Sequence, residues 1–241
     1  MKNKVSVIIP IYKEGRNIEK ILNMLIYKSE FYEIIVVDSS RDEVSREVVE
    51  KYRLDNILYI ESKKGRGIQL NEGSRIAKGD VLLFLHCDSR VEDDIIKKID
   101  NAIEKGVEFG CMKIKFDSDR ILMKICSNMS NLRVRYRKIA FGDQGMFFTR
   151  KCFETLGGFR DIGLMEDYDI SIRAKKVCRL HQISSVITTS SRRFYPKPYR
   201  KRNLLIQDLY ALKIMCRMQR YQYEFRRGVA VETIEKKYNR R

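Results

Sequence analysis

Two histidines occur among 241 residues, and one of them stands in "LLFLHCDSR", Leu82 to Arg90, where an apolar run ends in His86, Cys87 and Asp88. These types admit a metal site, a nucleophile beside its base, or a strand that merely surfaces. A Cys–His nucleophile pair is disfavoured, because adjacent strand residues diverge, whereas His86 and Asp88 at i and i+2 share a face. Cys87 then belongs to the core. "MEDYDIS" offers Glu166, Asp167 and Asp169. A like charge beside a carboxylate raises its pKa toward that of a working general base. Acids in a first helical turn also simply complement the helix dipole. "ESKKGRG" sets Lys63, Lys64 and Arg66 among glycines, either to bring backbone and cations near a phosphate or as a solvated basic loop.

These residues need a frame, and the hydrophobic pattern supplies one. "KVSVIIPIY", "EIIVVDSS", "NILYIES" and "DVLLFLHCD" read as strands. Helices follow each of them: one with Ile18, Ile21, Leu22, Leu25 and Ile26, one with Val44, Val48 and Tyr52 on a face, one from about Ile68 to Ala77, and one with Ile95, Ile99 and Ile103. Four βα units with near-continuous apolar strands predict an α/β fold, with a mostly parallel central sheet covered by helices on both faces. Ligands bind such sheets outside the carboxyl ends of the strands. Those ends are Tyr12–Glu14, Asp38–Ser40, Lys63–Gly67 and His86–Ser89. "GRGIQLNEG" is not read as a dinucleotide loop, since it follows the third strand rather than the first.

Beyond residue 116 the pattern changes. A basic helix is predicted over 121–138, with Ile125, Met129, Leu132 and Tyr136 on one stripe. "GDQGMFFTR" reads as a loop and strand, and "KCFETLGGF" as a short helix closed by glycines. "MEDYDISIRAKK" is a further helix. Over 203–227 an amphipathic helix is expected to bury Leu205, Leu209, Leu212 and Cys216. The expected organisation is one domain over 1–200, with halves 1–116 and 117–200, and a basic helical extension over 201–241.

Composition bounds the partners. The formal net charge is +17, which attracts polyanions, an anionic membrane surface or phosphorylated substrates. Six cysteines stand singly with no CxxC, a pattern of reduced thiols and a cytoplasmic setting. The N-terminal run lacks the form of a signal peptide. No apolar stretch approaches the roughly 20 residues that span a bilayer.

Taken in order, "VSVIIPIYKE", "EIIVVDSS", "GRGIQLNEGSRIAKGDVLLFLHCDSR", "GDQGMFFTRKCFETLGGF" and "LMEDYDISIRAKK" resemble a family 2 glycosyltransferase with the GT-A nucleotide-diphospho-sugar transferase fold. With "TSSRR", they are similar to a subgroup labelled radical-SAM-associated or arsenosugar-biosynthesis transferases. The resemblance covers about residues 4–195. It implies transfer of a sugar from a nucleotide-diphosphate donor, UDP-sugar before GDP-sugar, to an acceptor hydroxyl with inversion. It implies Asp167 as general base, and Pro10, Tyr12, Glu14, Asp38, Arg66, His86 and Asp88 around the nucleotide sugar. Asp38 would read the base and Tyr12 would stack on it. Asp143, Gln144, Glu166, Arg192 and Arg193 would face the acceptor or the diphosphate. The family commonly has Asp-x-Asp where this chain has His86 and Asp88, so Asp88 carries over as metal ligand. One fewer negative charge implies manganese rather than magnesium.

Each residue has a plainer reading. Asp38, Ser39 or Ser40 would equally cap the next helix, Asp143 would sit in a turn, and Arg192 and Arg193 would be surface cations. The basic runs at 120–138 and 192–202 exceed what one diphosphate needs. They suggest an anionic or lipid-linked acceptor and contact with the inner face of the membrane; alternatively, the C-terminal apolar stripe packs on the catalytic domain. A nucleic-acid-binding module fits the charge but not carboxylates at strand ends. A nucleotidyltransferase would open on a glycine-rich basic loop, where this chain has "PIYKEGRN". A non-catalytic sugar-nucleotide-binding relative remains the third alternative.

Overall fold

The computed structural model describes residues 3–27, 31–41, 43–52, 54–196 and 203–239. The basic positions Lys197, Arg200, Lys201 and Arg202 lie outside these described residues.

The first half is the expected βα succession: β1 (Val5–Ile11), α1 (Gly15–Tyr27), β2 (Glu33–Asp38), α2 (Glu43–Glu50), β3 (Ile57–Glu61), α3 (Arg66–Ile76) and β4 (Val81–Phe84). Strands β3, β2, β1 and β4 pair in parallel. Val5, Val7, Ile9 and Ile11 enter one hydrophobic cluster while Ile8 enters another across the sheet, so β1 is apolar throughout because both its faces are covered. In α3, Gly73 is required by close approach: a Cβ there would stand 2.5 Å from Ile8 Cγ2. In α2 the inward residues are Ser45, Val48 and Val49; Val44 is exposed and Tyr52 lies beyond the helix end.

The rest of the chain completes the sheet with β5 (Arg90–Val91), α4 (Ile95–Glu104), β6 (Phe109–Phe116), α5 (Ile121–Arg137), β7 (Phe147–Thr149), α6 (Arg150–Thr155), α7 (Glu166–Ala174) and β8 (Leu180–Thr189). The order is β3-β2-β1-β4-β7-β6-β8-β5, with β7 and β5 antiparallel to their neighbours, so the sheet is mixed rather than parallel throughout. Two helices follow, α8 (Leu204–Arg226) and α9 (Val231–Asn239). Tyr221 and Ile234 of these helices share a hydrophobic cluster with Ile139, Met165 and Tyr168 of the second half.

The stripe expected to be buried on α8 faces outward, and so does the stripe on α5. Ile125, Met129, Leu132 and Tyr136 of α5 are exposed, as are Leu205, Leu209, Leu212 and Cys216 of α8. The inward positions are instead Met123, Cys126, Ser127 and Val134 on α5, and Gln207, Ala211, Tyr221 and Gln222 on α8.

Candidate active site

A cleft of about 510 Å³ opens at the carboxyl ends of β1 and β4. Of the residues singled out from sequence, it gathers Pro10, Tyr12, Glu14, Arg66, His86, Asp88, Asp143, Glu166, Asp167, Arg192 and Arg193. Asp38 and Gln144 stand outside it. Asp38 is fully buried; its carboxylate accepts from the Ser40 backbone N–H at 2.7 Å, the Ser40 hydroxyl at 2.6 Å and the Tyr59 hydroxyl at 2.9 Å. It organises the 38–40 turn, whose Ser40 Oγ accepts from the Lys13 backbone N–H. Gln144, also fully buried, accepts from Arg133 at 2.9 Å and closes the 142–144 turn through the Phe141 N–H.

One wall of the cleft begins after β1. Tyr12 is 45% exposed, with Lys13 and Lys64 over its ring at 5.7 and 5.0 Å. Lys13 has φ 54°, a left-handed conformation that a non-glycine residue adopts only when its surroundings enforce it. Gln69, which the sequence pattern does not single out, donates to the carbonyls of Ile11 at 2.8 Å and Val37 at 2.7 Å and so ties the ends of β1 and β2 together. Its only signal was a polar side chain on the sheet-facing side of α3.

His86 and Asp88 do not share a face. β4 ends at Phe84, and residues 86–89 turn, with Ser89 N–H donating to His86 O at 3.0 Å. Strand alternation stops where the strand stops. His86 turns toward Gly142 and Asp167: a Cβ on Gly142 would lie 3.0 Å from His86 Nε2 and 3.4 Å from Asp167 Oδ2. Burial, with Arg66 and Arg192 nearby, lowers the His86 pKa to about 3, so its imidazole is neutral. Asp88 turns instead to Arg192, at 3.3 Å, and the same guanidinium holds Glu14 at 3.0 Å. Burial pushes the Asp88 carboxyl up, Arg192 pulls it back and Glu14 adds to the rise. Cys87 belongs to the core cluster but also lines the cleft, where burial and Glu14 push its thiol up.

Two carboxylates converging on one cationic position suit a divalent ion, which prefers hard oxygen donors. Among the described residues no three His, Cys, Asp or Glu side chains stand close enough to hold an ion alone. Two side-chain carboxylates alone would leave such an ion needing further ligands from a bound molecule.

The opposite wall is α7 and the 142–144 turn. Met165, at φ 71°, precedes α7 and directs Glu166 and Asp167 into the cleft. Glu166 is buried and pairs with Arg66 at 3.2 Å; burial and Asp167, opposed by Arg66, raise its pKa to about 7. Asp167 is more open, and accepts from the backbone N–H groups of Gly142 at 2.8 Å and Tyr168 at 2.7 Å. Asp143 is raised to about 6 by burial, with Arg133 pulling it down and Asp167 pushing it up. Asp169 points away, ion-paired with Arg173 at 2.7 Å and Arg160 at 3.1 Å. Arg193 lies against the Tyr238 ring at 5.2 Å, and Met218 joins Tyr238 in the lining, so α8 and α9 close one side. Nothing in the local sequence pattern places those two residues at the site.

A cleft at parallel strand ends, with guanidinium groups at its rim and carboxylates opposite, on this mixed sheet, defines the GT-A class of nucleotide-sugar folds. The chain belongs to glycosyl transferase family 2, whose model matches residues 6–156. It is 30% identical over 101 residues to the poly(ribitol-phosphate) beta-glucosyltransferase of Bacillus spizizenii, covering 39% of this chain and 16% of that one. It is 31% identical over 109 residues to the dolichol-phosphate mannosyltransferase of Pyrococcus furiosus, covering 43% and 31%. The chain thus spans less than a third of either curated relative. In fold it resembles the mannosyltransferase PcManGT of Pyrobaculum calidifontis in complex with GDP-Man and Mn2+, with TM-score 0.62, 24% identity, and 82% of this chain matched to 58% of that one. It also resembles S. aureus TarS 1-349 in complex with UDP-GlcNAc, with TM-score 0.60, 22% identity, and 78% matched to 59%.

Proposed function

We propose that this protein transfers a sugar from a nucleotide-diphosphate donor to an acceptor hydroxyl with inversion, UDP-sugars being favoured over GDP-sugars. The observation that carries this reading is the placement of Asp167, open to a cleft that the Arg66, Arg192 and Arg193 guanidinium groups also line. Asp167 accepts the proton of the acceptor hydroxyl. The acceptor oxygen then bonds to the anomeric carbon as the bond from that carbon to the diphosphate oxygen breaks, and the electron pair leaves with the nucleoside diphosphate. One displacement on the face opposite the leaving group inverts the centre, so no covalent intermediate is required. The guanidinium groups hold the developing phosphate charge. The Gly142 and Tyr168 N–H groups keep the carboxylate in place. Tyr12 offers a stacking surface for the base, and Asp38 acts behind it by ordering the 38–40 turn. Asp88, with Glu14 beside it, would hold a divalent metal, manganese in preference to magnesium, which when bound neutralises part of the diphosphate's charge. The acceptor is anionic or lipid-linked, reached in the cytoplasm at the inner face of the membrane.

The test is a thermal-shift panel of UDP-, GDP- and TDP-sugars with manganese or magnesium, followed by assay of nucleoside diphosphate release. Stabilisation by a UDP-sugar with manganese, and release of UDP, is expected. No stabilisation by any donor would sink the reading. Pyrophosphate release would indicate a nucleotidyltransferase, and binding without turnover across an acceptor panel a non-catalytic relative.

A further inference from the structure

The outward faces of α5 and α8 are the least expected surface of this molecule. Ile121, Ile125, Met129, Leu132 and Tyr136 recur at spacings of three and four, which places them in one stripe along α5. Leu205, Leu209 and Leu212 form a second stripe on α8, and the exposures of all eight run from 42% at Leu212 to 76% at Ile121. The helices are neighbours. Arg120, before α5, donates to Gln207 Oε1 at 2.8 Å and Leu204 O at 2.9 Å and pairs with Asp208 at 2.9 Å, while Ala211 shares a cluster with Met123 and Cys126. Their buried residues point inward, so both apolar stripes are presented outward.

The charge on the two helices is predominantly basic. Helix α5 contains no acid, and Lys124, Arg135 and Arg137 are exposed on it. Lys213 and Arg220 are exposed on α8, whose two acids are already paired, Asp208 with Arg120 and Glu224 with Arg220 and Lys237. We propose that this joint α5–α8 face docks on an anionic lipid bilayer, with both helices lying in the headgroup region. Apolar side chains enter the acyl boundary while the flanking lysines and arginines meet lipid phosphates. A second copy of the chain is the poorer occupant, because a self-paired face would bring the same cations together. Spanning is excluded for the described helices, none of which is long and apolar enough.

Helix α8 links this face to the cleft. Leu212 lies on the docking stripe and Met218 in the cleft wall, six residues or about 9 Å further along the axis. Docking would hold the cleft beside the headgroups, where a lipid-borne acceptor hydroxyl lies. That last step rests on the transferase reading; the docking itself does not.

The experiment is co-sedimentation of the full chain with vesicles of phosphatidylcholine alone and of a roughly 7:3 mixture with phosphatidylglycerol. Binding to the anionic vesicles alone is expected, weakening as salt is raised. The variant Leu205→Gln/Leu209→Gln/Leu212→Gln, and separately Ile125→Gln/Met129→Gln, should each lose about tenfold or more in vesicle affinity. Both should keep the wild-type melting temperature and the donor-induced thermal shift, which separates failure of docking from failure of the transferase reading. The proposal is overturned if wild type ignores anionic vesicles, or if both variants bind them as wild type does. It is equally overturned if sedimentation velocity shows a stable dimer that these variants dissociate.

Discussion

Helices α4 and α5 carry apolar residues at the same helical spacing and turn them in opposite directions. On α4, Ile95, Ile96 and Ile99 are at most 1% exposed. On α5, Ile121, Ile125, Met129 and Leu132 lie outside, and Ser127 and Asn131 take inward positions. The neighbouring strand explains this. β6 has a register irregularity between Cys111 and Lys113, and close by its backbone turns to α5 for partners. Asn131 accepts from Ile114 N–H at 2.9 Å and donates to Ile114 O at 3.1 Å, and Ser127 Oγ accepts from Phe116 N–H. Pairing these backbone groups takes inward positions that apolar side chains would otherwise fill. A stripe therefore identifies a helix without saying which side of it meets the core.

The largest effect expected from contrasting the two halves is catalytic. Asp167→Asn, in the α5 half, should lower turnover about 10²- to 10⁴-fold with little change in melting temperature. Asp38→Asn, in the α4 half, should weaken donor binding and stability instead, since Asp38 orders a loop. Wild-type transfer by Asp167→Asn would remove the base assignment, and with it this division between halves.

Stability comes next. Ile99→Ala on α4 should cost about 2–5 kcal/mol in denaturant unfolding, whereas Ile125→Ala on α5 should stay within about 0.5 kcal/mol. Equal losses would mean that the α5 stripe is covered in solution.

The smallest effect expected is a slope. Glu166 and Asp143 have folded pKa values raised to about 7 and about 6. Unfolded carboxylates titrate near 4, so between these values the native state binds more protons than the unfolded one. The contribution of this pair is then fully present below about pH 4 and is lost as pH rises through 6 to 7. Glu166→Gln should flatten the melting temperature against pH over that window relative to wild type. A slope unchanged by the substitution would argue that Glu166 is already ionised under Arg66.

How far the site was legible follows from the same contrast. Pro10, at the end of β1, Tyr12 and Glu14 after it, and Arg66 at the start of α3 are within reach of local periodicity. It does not reach Met218 or Tyr238, which enter the cleft through helices packed from the far end of the chain. Nor does it show that residues 86–89 turn, separating His86 from Asp88, or that the Asp38 carboxylate accepts from Ser40 and Tyr59 and the Gln144 carbonyl from Phe141 and Arg133.

What this sequence determined alone is what short-range physics controls: four βα units, the apolar stripes, and a polar site at the ends of parallel strands. The tertiary structure decided which way the α5 and α8 stripes face and which charges meet. Arg192 reaches Glu14 across 178 positions of chain, and their pairing depends on sheet closure rather than on either neighbourhood. Periodicity is local, whereas the satisfaction of backbone groups and charges is settled only when distant segments come together.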